Sequence, residues 1–143
     1  MVFRAKDIVE KDFLSMPKET TALEAAKVMK AKKHGFVVVV TPEGKPEGIV
    51  TEWDYLSKLV AEGKNPAQVK LAELMSTNLV TVDSHEATDQ ISQLMADKGI
   101  RRLLVTEDGK TIGVITAKTI LANLKEYVNK VSAQVARLQA PRY

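Results

Sequence analysis

The chain is one unit written twice, and that repeat constrains its fold more than any other feature. Phe13–Val40 aligns with Leu79–Thr106 at a constant offset of 66. After one deletion in a turn, Gly44–Leu56 aligns with Gly109–Leu121 at an offset of 65. The identities are Met29/Met95, Lys32/Lys98, Val39/Val105, Gly44/Gly109, Lys45/Lys110, Gly48/Gly113, Thr51/Thr116 and Leu56/Leu121. Elsewhere residue types agree more than residues do.

Each copy reads as β-α-β-β-α. A short strand comes first, Phe13–Met16 or Leu79–Val82. A helix follows, about Thr21–Lys33 or Glu86–Lys98, with Ala25, Val28 and Met29, or Ile91, Leu94 and Met95, on one face. Thr21-Ala22-Leu23-Glu24 and Asp83-Ser84-His85-Glu86 both carry helix-opening chemistry. A buried strand is next, Phe36–Val40 or Arg102–Val105. A turn, PEGK or EDGK, leads into a second strand ending at Thr51 or Thr116, and a second helix closes the copy. Asn65-Pro66 marks the link between copies.

A unit of some 55 residues covers one sheet face poorly by itself, and two copies packed back to back cover it well. The expected fold is therefore α/β (α+β), two units related by a pseudo-two-fold axis. Residues 1–66 form the first unit, 67–127 the second, and 128–143 a C-terminal helical extension. Ligand clefts are expected where strand ends of one copy meet the other.

Composition narrows the function. Apolar residues make up 45% and charged residues 27% of the 143, which suits a globular chain. No apolar run is long enough for a membrane span. The opening MVFRAKDIVEKD has no apolar signal-peptide core, so a cytoplasmic location is expected. The absence of cysteine removes disulfides, thiolate nucleophiles and Cys-based metal sites. Net charge is +3, with lysines spread along the chain apart from a cluster in Lys27–Lys33. At a helix end those cations suit the dipole. The only histidines, His34 and His85, have no partner at metal-ligand spacing, and neither a GxSxG elbow nor a P-loop is present. A non-enzyme with no metal and no required cofactor is expected.

The chemistry-bearing motif is Gly48-Ile49-Val50-Thr51-Glu52-Trp53-Asp54, matched by Gly113-Val114-Ile115-Thr116-Ala117-Lys118-Thr119 with the acid gone. Thr51 is expected at a helix N-terminus, where free N–H groups and the dipole favour a phosphate. Asp54, one turn on, offers two acceptor oxygens to the paired hydroxyls of a ribose. The same Thr-x-x-Asp also reads as a capping box. Trp53, between them, reads first as a packing residue and second as a cleft shield or dimer contact.

The doubled β-α-β-β-α pattern, the Gly-apolar-apolar-Thr-x-x-Asp ending and the preceding EGKPEG and DGKTIG turns resemble a tandem CBS-domain protein (a Bateman module) over about residues 6–127. The resemblance implies a sensor or regulator that binds an adenosine nucleotide (AMP, ADP or ATP) or a related adenosyl compound between the units. By that arrangement one cleft uses Gly35, Phe36, Ile49, Val50, Thr51 and Asp54, walled by Ser76, Thr77, Leu79, Val80, Ile100 and Arg101. The other uses Arg102, Val114, Thr116 and Thr119, walled by Val9, Leu14 and His34. In the family the Asp holds the ribose. The Asp54 cleft is thus expected to be the stronger site, and the Thr119 cleft weaker, empty or differently selective. Arg102 suits a phosphate but also reads as a surface arginine.

Beyond the second copy, Leu121, Leu124, Val128, Val131, Val135 and Leu138 keep a 3-4 spacing. The seam either folds back over its own core or packs on a second chain. A homodimer is expected, together with an unidentified regulated protein partner. The alternative is a protein- or nucleic-acid-binding scaffold without a small ligand, supported by a pI near 9.1 and by Arg101-Arg102 beside Lys98. The shortage of aromatics for stacking bases weighs against nucleic acid.

Overall fold

A computed structural model describes residues 3–139, so residues 140–143 of the expected extension lie outside the described residues. In chain order the elements are α1 (Ala5–Ile8), β1 (Leu14–Met16), α2 (Ala22–Lys32), β2 (Phe36–Val40), β3 (Pro46–Thr51) and α3 (Glu52–Asp54). Then come α4 (Leu71–Leu74), β4 (Thr81–Asp83), α5 (Thr88–Lys98), β5 (Arg102–Glu107), β6 (Lys110–Thr116) and α6 (Ala117–Gln139). Helix α3 runs on as a wider π-helical segment, Tyr55–Val60.

Each copy builds one three-stranded sheet, β1-β2-β3 or β4-β5-β6. The first two strands are parallel, which requires the helical crossover between them, and the last two form an antiparallel hairpin. The second hairpin closes through Asp108 and Gly109, both at positive φ (52° and 78°), as a tight two-residue turn demands. Thr21 caps α2 in a reciprocal box: its Oγ1 accepts the Glu24 N–H (3.1 Å), and Glu24 Oε2 accepts the Thr21 N–H (3.2 Å).

The expected cap at Asp83-Ser84-His85-Glu86 is corrected. Asp83 Oδ2 accepts the His85 N–H (2.9 Å) and faces its Nδ1 (3.0 Å), closing a turn, and α5 starts only after Ala87. The backbone N–H of His85, then its ring, hold the Asp83 carboxyl below the usual carboxylate range.

Two cores lie under the two sheets, and each opening segment crosses to the other copy. Ala5 and Ile8 of α1 are buried with Val82, Ile91, Leu103 and Ile115 of the second copy. Val69, Leu71 and Leu74 are buried with Ala25, Val37 and Val50 of the first. The crossings are pseudo-symmetric: Glu10 and Val114 exchange backbone hydrogen bonds (both 2.9 Å), as do Ser76 and Ile49 (2.9 and 3.0 Å). This explains the repeated motif glycines. A Cβ at Gly113 would lie 2.5 Å from the Glu10 carbonyl oxygen, and one at Gly48 2.6 Å from Met75 Sδ. Val38, Leu104 and Val114 form a third apolar cluster, with Phe13, Phe36, Val40 and Leu79 around it, joining the two sheets.

Helix α6 continues without a break past the length of its counterpart, and none of its residues is buried. Its seam does not fold back beyond Tyr127, whose ring meets Phe3 edge-on (centroids 6.3 Å apart). Trp53, read first as a packing residue, is 68% exposed and so unpacked within this chain.

Candidate functional site

The two copies of the motif solve the start of their helices differently. In the first, Thr51 is the extended residue before α3, and Asp54 reaches back to it. Asp54 Oδ2 accepts the Thr51 N–H (2.8 Å) and faces the Thr51 hydroxyl (3.3 Å). Asp54 Oδ1 pairs with Lys58 Nζ (3.0 Å), four residues on, and the Asp54 side chain is only 10% exposed. In the second copy Thr116 reaches forward. Its Oγ1 accepts the Thr119 N–H (3.1 Å) and bonds the Thr119 hydroxyl (2.9 Å). One helix N-terminus therefore carries a fixed carboxylate and the other a pair of hydroxyls.

Between the copies lies a cavity of about 680 Å3 lined by both sheets' strand ends. Phe36 is the strand partner of Thr51, and Arg102 of Thr116; Thr116, Ala117 and Lys118 of the second turn line the cavity, whereas Glu52 lines it from the first turn and Thr51 and Asp54 do not. Lys32, Lys33, His34, Arg101, Arg102 and Lys118 bring positive or titratable nitrogen to it, facing Glu10, Asp12 and Glu52. His34 Nε2 stands 3.7 Å from Asp12 Oδ2. The Arg102 guanidinium lies over the Phe36 ring, 4.9 Å from its centroid, a cation–π contact between pseudo-equivalent residues of the two copies. Such a basic, partly enclosed space suits a polyanion with an aromatic or apolar end.

Some of the residues expected in two clefts line this one cavity, and Thr51 and Asp54 are not among them. Gly35, Phe36 and Arg101 of the first set share this one cavity with Arg102, Val114, Thr116 and His34 of the second. Ile49 and Ser76 meet through their paired backbones, and the Leu79 N–H bonds the Thr77 carbonyl (2.9 Å). Leu79 packs at the sheet–sheet cluster. Val50 is fully buried in the first core, and Leu14 packs on the same core. Val9, Val80 and Ile100 pack on the second core. Thr119 is bonded to Thr116 and does not line the cavity.

Sequence reasoning missed Glu10, Asp12, Glu52 and Lys118 as cavity residues and Lys58 as the partner of Asp54. The i,i+4 spacing of Asp54 and Lys58 was the available signal for the last. The Glu52 carboxylate lies directly against Gly35, where a Cβ would displace it. Beyond that contact, Tyr55 lines a neighbouring cavity of about 430 Å3 and donates to the Ala22 carbonyl (2.6 Å), and burial pushes its hydroxyl up to about 12. Among the described residues no group of His, Asp and Glu is placed to hold a metal, and no helix is long and apolar enough to cross a membrane.

Comparison with known proteins places this geometry. The chain is 34% identical over 134 residues to an uncharacterized protein of Methanopyrus kandleri, MK0525, covering 93% of this chain and 68% of that one. A hexameric CBS-CP12 protein from bloom-forming cyanobacteria superposes with a TM-score of 0.76 at 31% identity, over 85% of this chain and 67% of that one. The CBS domain pair of protein MJ0100, solved with 5′-methylthioadenosine and S-adenosyl-L-methionine, superposes with a TM-score of 0.77 at 25% identity, over 89% and 99%. Some matched relatives are enzymes of which the chain spans only 22–24% of the length. The CBS domain itself matches twice, over residues 5–61 and 71–126. The chain belongs to the CBS-domain family and carries two of its units in tandem.

Proposed function

We propose that the chain is a regulatory module that binds an adenosine nucleotide or related adenosyl ligand between its two units, with the stronger site at Asp54. The observation that carries this reading is the basic inter-unit cavity lined by Glu52, two residues before an Asp54 carboxylate that is already fixed in place just behind that lining. The ribose hydroxyls would bond Asp54, Thr51 would offer its hydroxyl, and Arg101, Arg102 and Lys33 would face the phosphates. The second turn offers neutral hydroxyls only and would hold a ribose weakly. The adenosyl ligands of the MJ0100 pair support the ligand class. The module works without catalysis, in the cytoplasm, by preferring one arrangement of its units when occupied; a protein partner reads the difference.

Calorimetric titration with AMP, ADP, ATP and S-adenosylmethionine, on wild type and Asp54→Ala, tests this. Saturable binding that the substitution abolishes is the expected result. Binding of none of the four, or binding indifferent to Asp54→Ala, overturns it.

The working unit in this reading is a homodimer. Leu121, Leu124, Val128, Val131, Val135 and Leu138 are all exposed at heptad spacing on α6, and a groove of about 560 Å3 lined by Phe3, Ile8, Ile120, Leu124 and Tyr127 opens at their base. Val at two of the three a positions (Val128, Val135) and Leu at two of the three d positions (Leu124, Leu138) suit a two-helix contact. Sedimentation should give a dimer for wild type and a monomer for Val131→Glu; a wild-type monomer at all concentrations contradicts it.

A further inference from the structure

Lys58 lies beyond the repeated motif, four residues after Asp54. It sits in the π-helical segment after Asp54, a local widening that proteins use at functional positions. Its ammonium makes two contacts at once: Asp54 Oδ1 at 3.0 Å and the Leu74 carbonyl oxygen at 2.9 Å. Leu74 ends α4, the short helix of the segment that crosses from one unit to the other, and two residues later Ser76 pairs with Ile49 of the motif strand. One side chain therefore ties the carboxylate to the crossing segment that lies beside it.

The arrangement sets what Asp54 can still accept. A carboxylate takes about four donors. Oδ2 is engaged by the Thr51 N–H and faces the Thr51 hydroxyl, and Oδ1 is engaged by Lys58. One place is left on Oδ1, and a second opens on Oδ2 when the Thr51 hydroxyl turns to a ligand. The two openings lie on different oxygens of one fixed carboxylate, which matches two adjacent hydroxyls. Without Lys58 the carboxylate would be held at Oδ2 alone and free to turn.

We propose that Lys58 is the positioning residue for ribose recognition: it fixes the Asp54 carboxylate so that both of its oxygens meet vicinal hydroxyls, and it anchors that recognition to the inter-unit segment at Leu74. The proposal rests on the ribose reading of Asp54 given above. It says more than that reading, because it makes the discrimination between one and two hydroxyls depend on a residue that does not touch the ligand.

The test compares AMP with 2′-deoxy-AMP on wild type, Asp54→Ala, Lys58→Met and Lys58→Arg. Wild type should prefer AMP by about tenfold or more, the size of one charge-assisted hydrogen bond. Lys58→Met should weaken AMP by about tenfold while moving 2′-deoxy-AMP by less than about threefold, so that the preference collapses. Lys58→Arg, which keeps a cation within reach of both oxygens, should restore most of it. If Lys58→Met does not fold, Lys58→Gln serves with the same readout. Equal weakening of both nucleotides, or no weakening, overturns the role of Lys58 while leaving the ribose reading intact. Wild type that binds no AMP, or an Asp54→Ala variant that binds it normally, overturns the ribose reading and this inference with it.

Discussion

The two helix-opening turns began as the same motif and now differ in where the bonds originate. At Thr51 the acid reaches back to the backbone N–H that starts the helix, and a lysine balances its charge. At Thr116 the capping hydroxyl reaches forward to Thr119, and no carboxylate is present. The backbone around them is nearly the same: each turn follows a strand paired antiparallel to its neighbour, and each strand holds a crossing segment against a glycine. A duplicated scaffold thus keeps its shape while one chemical group is exchanged. Ligand preference can diverge between the copies while both apolar cores stay intact, because the residue that differs belongs to neither.

The glycines provide the strongest test of that shared scaffold. Gly113→Ala places a methyl group against the Glu10 backbone, which cannot move without breaking its pairing with Val114. Gly48→Ala meets the Met75 side chain, whose Sδ can swing away although its Cβ (2.9 Å) must also shift slightly. Denaturant unfolding should show a loss of about 1–3 kcal/mol for Gly113→Ala and a smaller loss for Gly48→Ala. Equal losses would mean that the two crossings are equally tight.

The turns themselves come next. Asp54→Ala removes an acceptor from the Thr51 N–H and leaves Lys58 without its anion. Stability should fall by about 1–2 kcal/mol in unfolding experiments without ligand. Thr119→Ala leaves the bond from its own N–H to Thr116 in place, and should cost about 0.5–1 kcal/mol. The reverse order would contradict the assignment of the stronger turn to the first unit.

Much of this was legible in the sequence, because much of it is local. The strand Phe36–Val40 is a continuous apolar run, and the box at Thr21 and Glu24 is a contiguous signal. The Asp-Gly hairpin depends on two adjacent residues with positive φ. What was not legible depends on distance or on competition. Ile8, Leu71 and Leu74 are apolar in the right way for either unit, and only the folded chain shows that each crosses over. At Asp83 the carboxylate found His85 rather than a helix, since Asp can close a turn as readily as cap one. Gly35, Phe36 and Arg101 share one basic cavity with His34, Arg102, Val114 and Thr116 beside the stacking of Phe36 and Arg102 across the units, a contact between residues 66 positions apart that no local pattern encodes. Lys58 was readable by spacing to Asp54, but not its second bond to Leu74.

The most direct measurement of the central claim counts ligands per chain. Calorimetric titration with AMP of wild type and of a variant carrying Thr119→Asp with Asn123→Lys, the position that matches Lys58, should give one strong site for wild type and two for the variant, because the pair puts the missing acceptor and its lysine into a scaffold of the same shape. Two equal sites in wild type, or a single unchanged site in the double variant, would contradict the account that a lysine-held carboxylate sets the difference between the units.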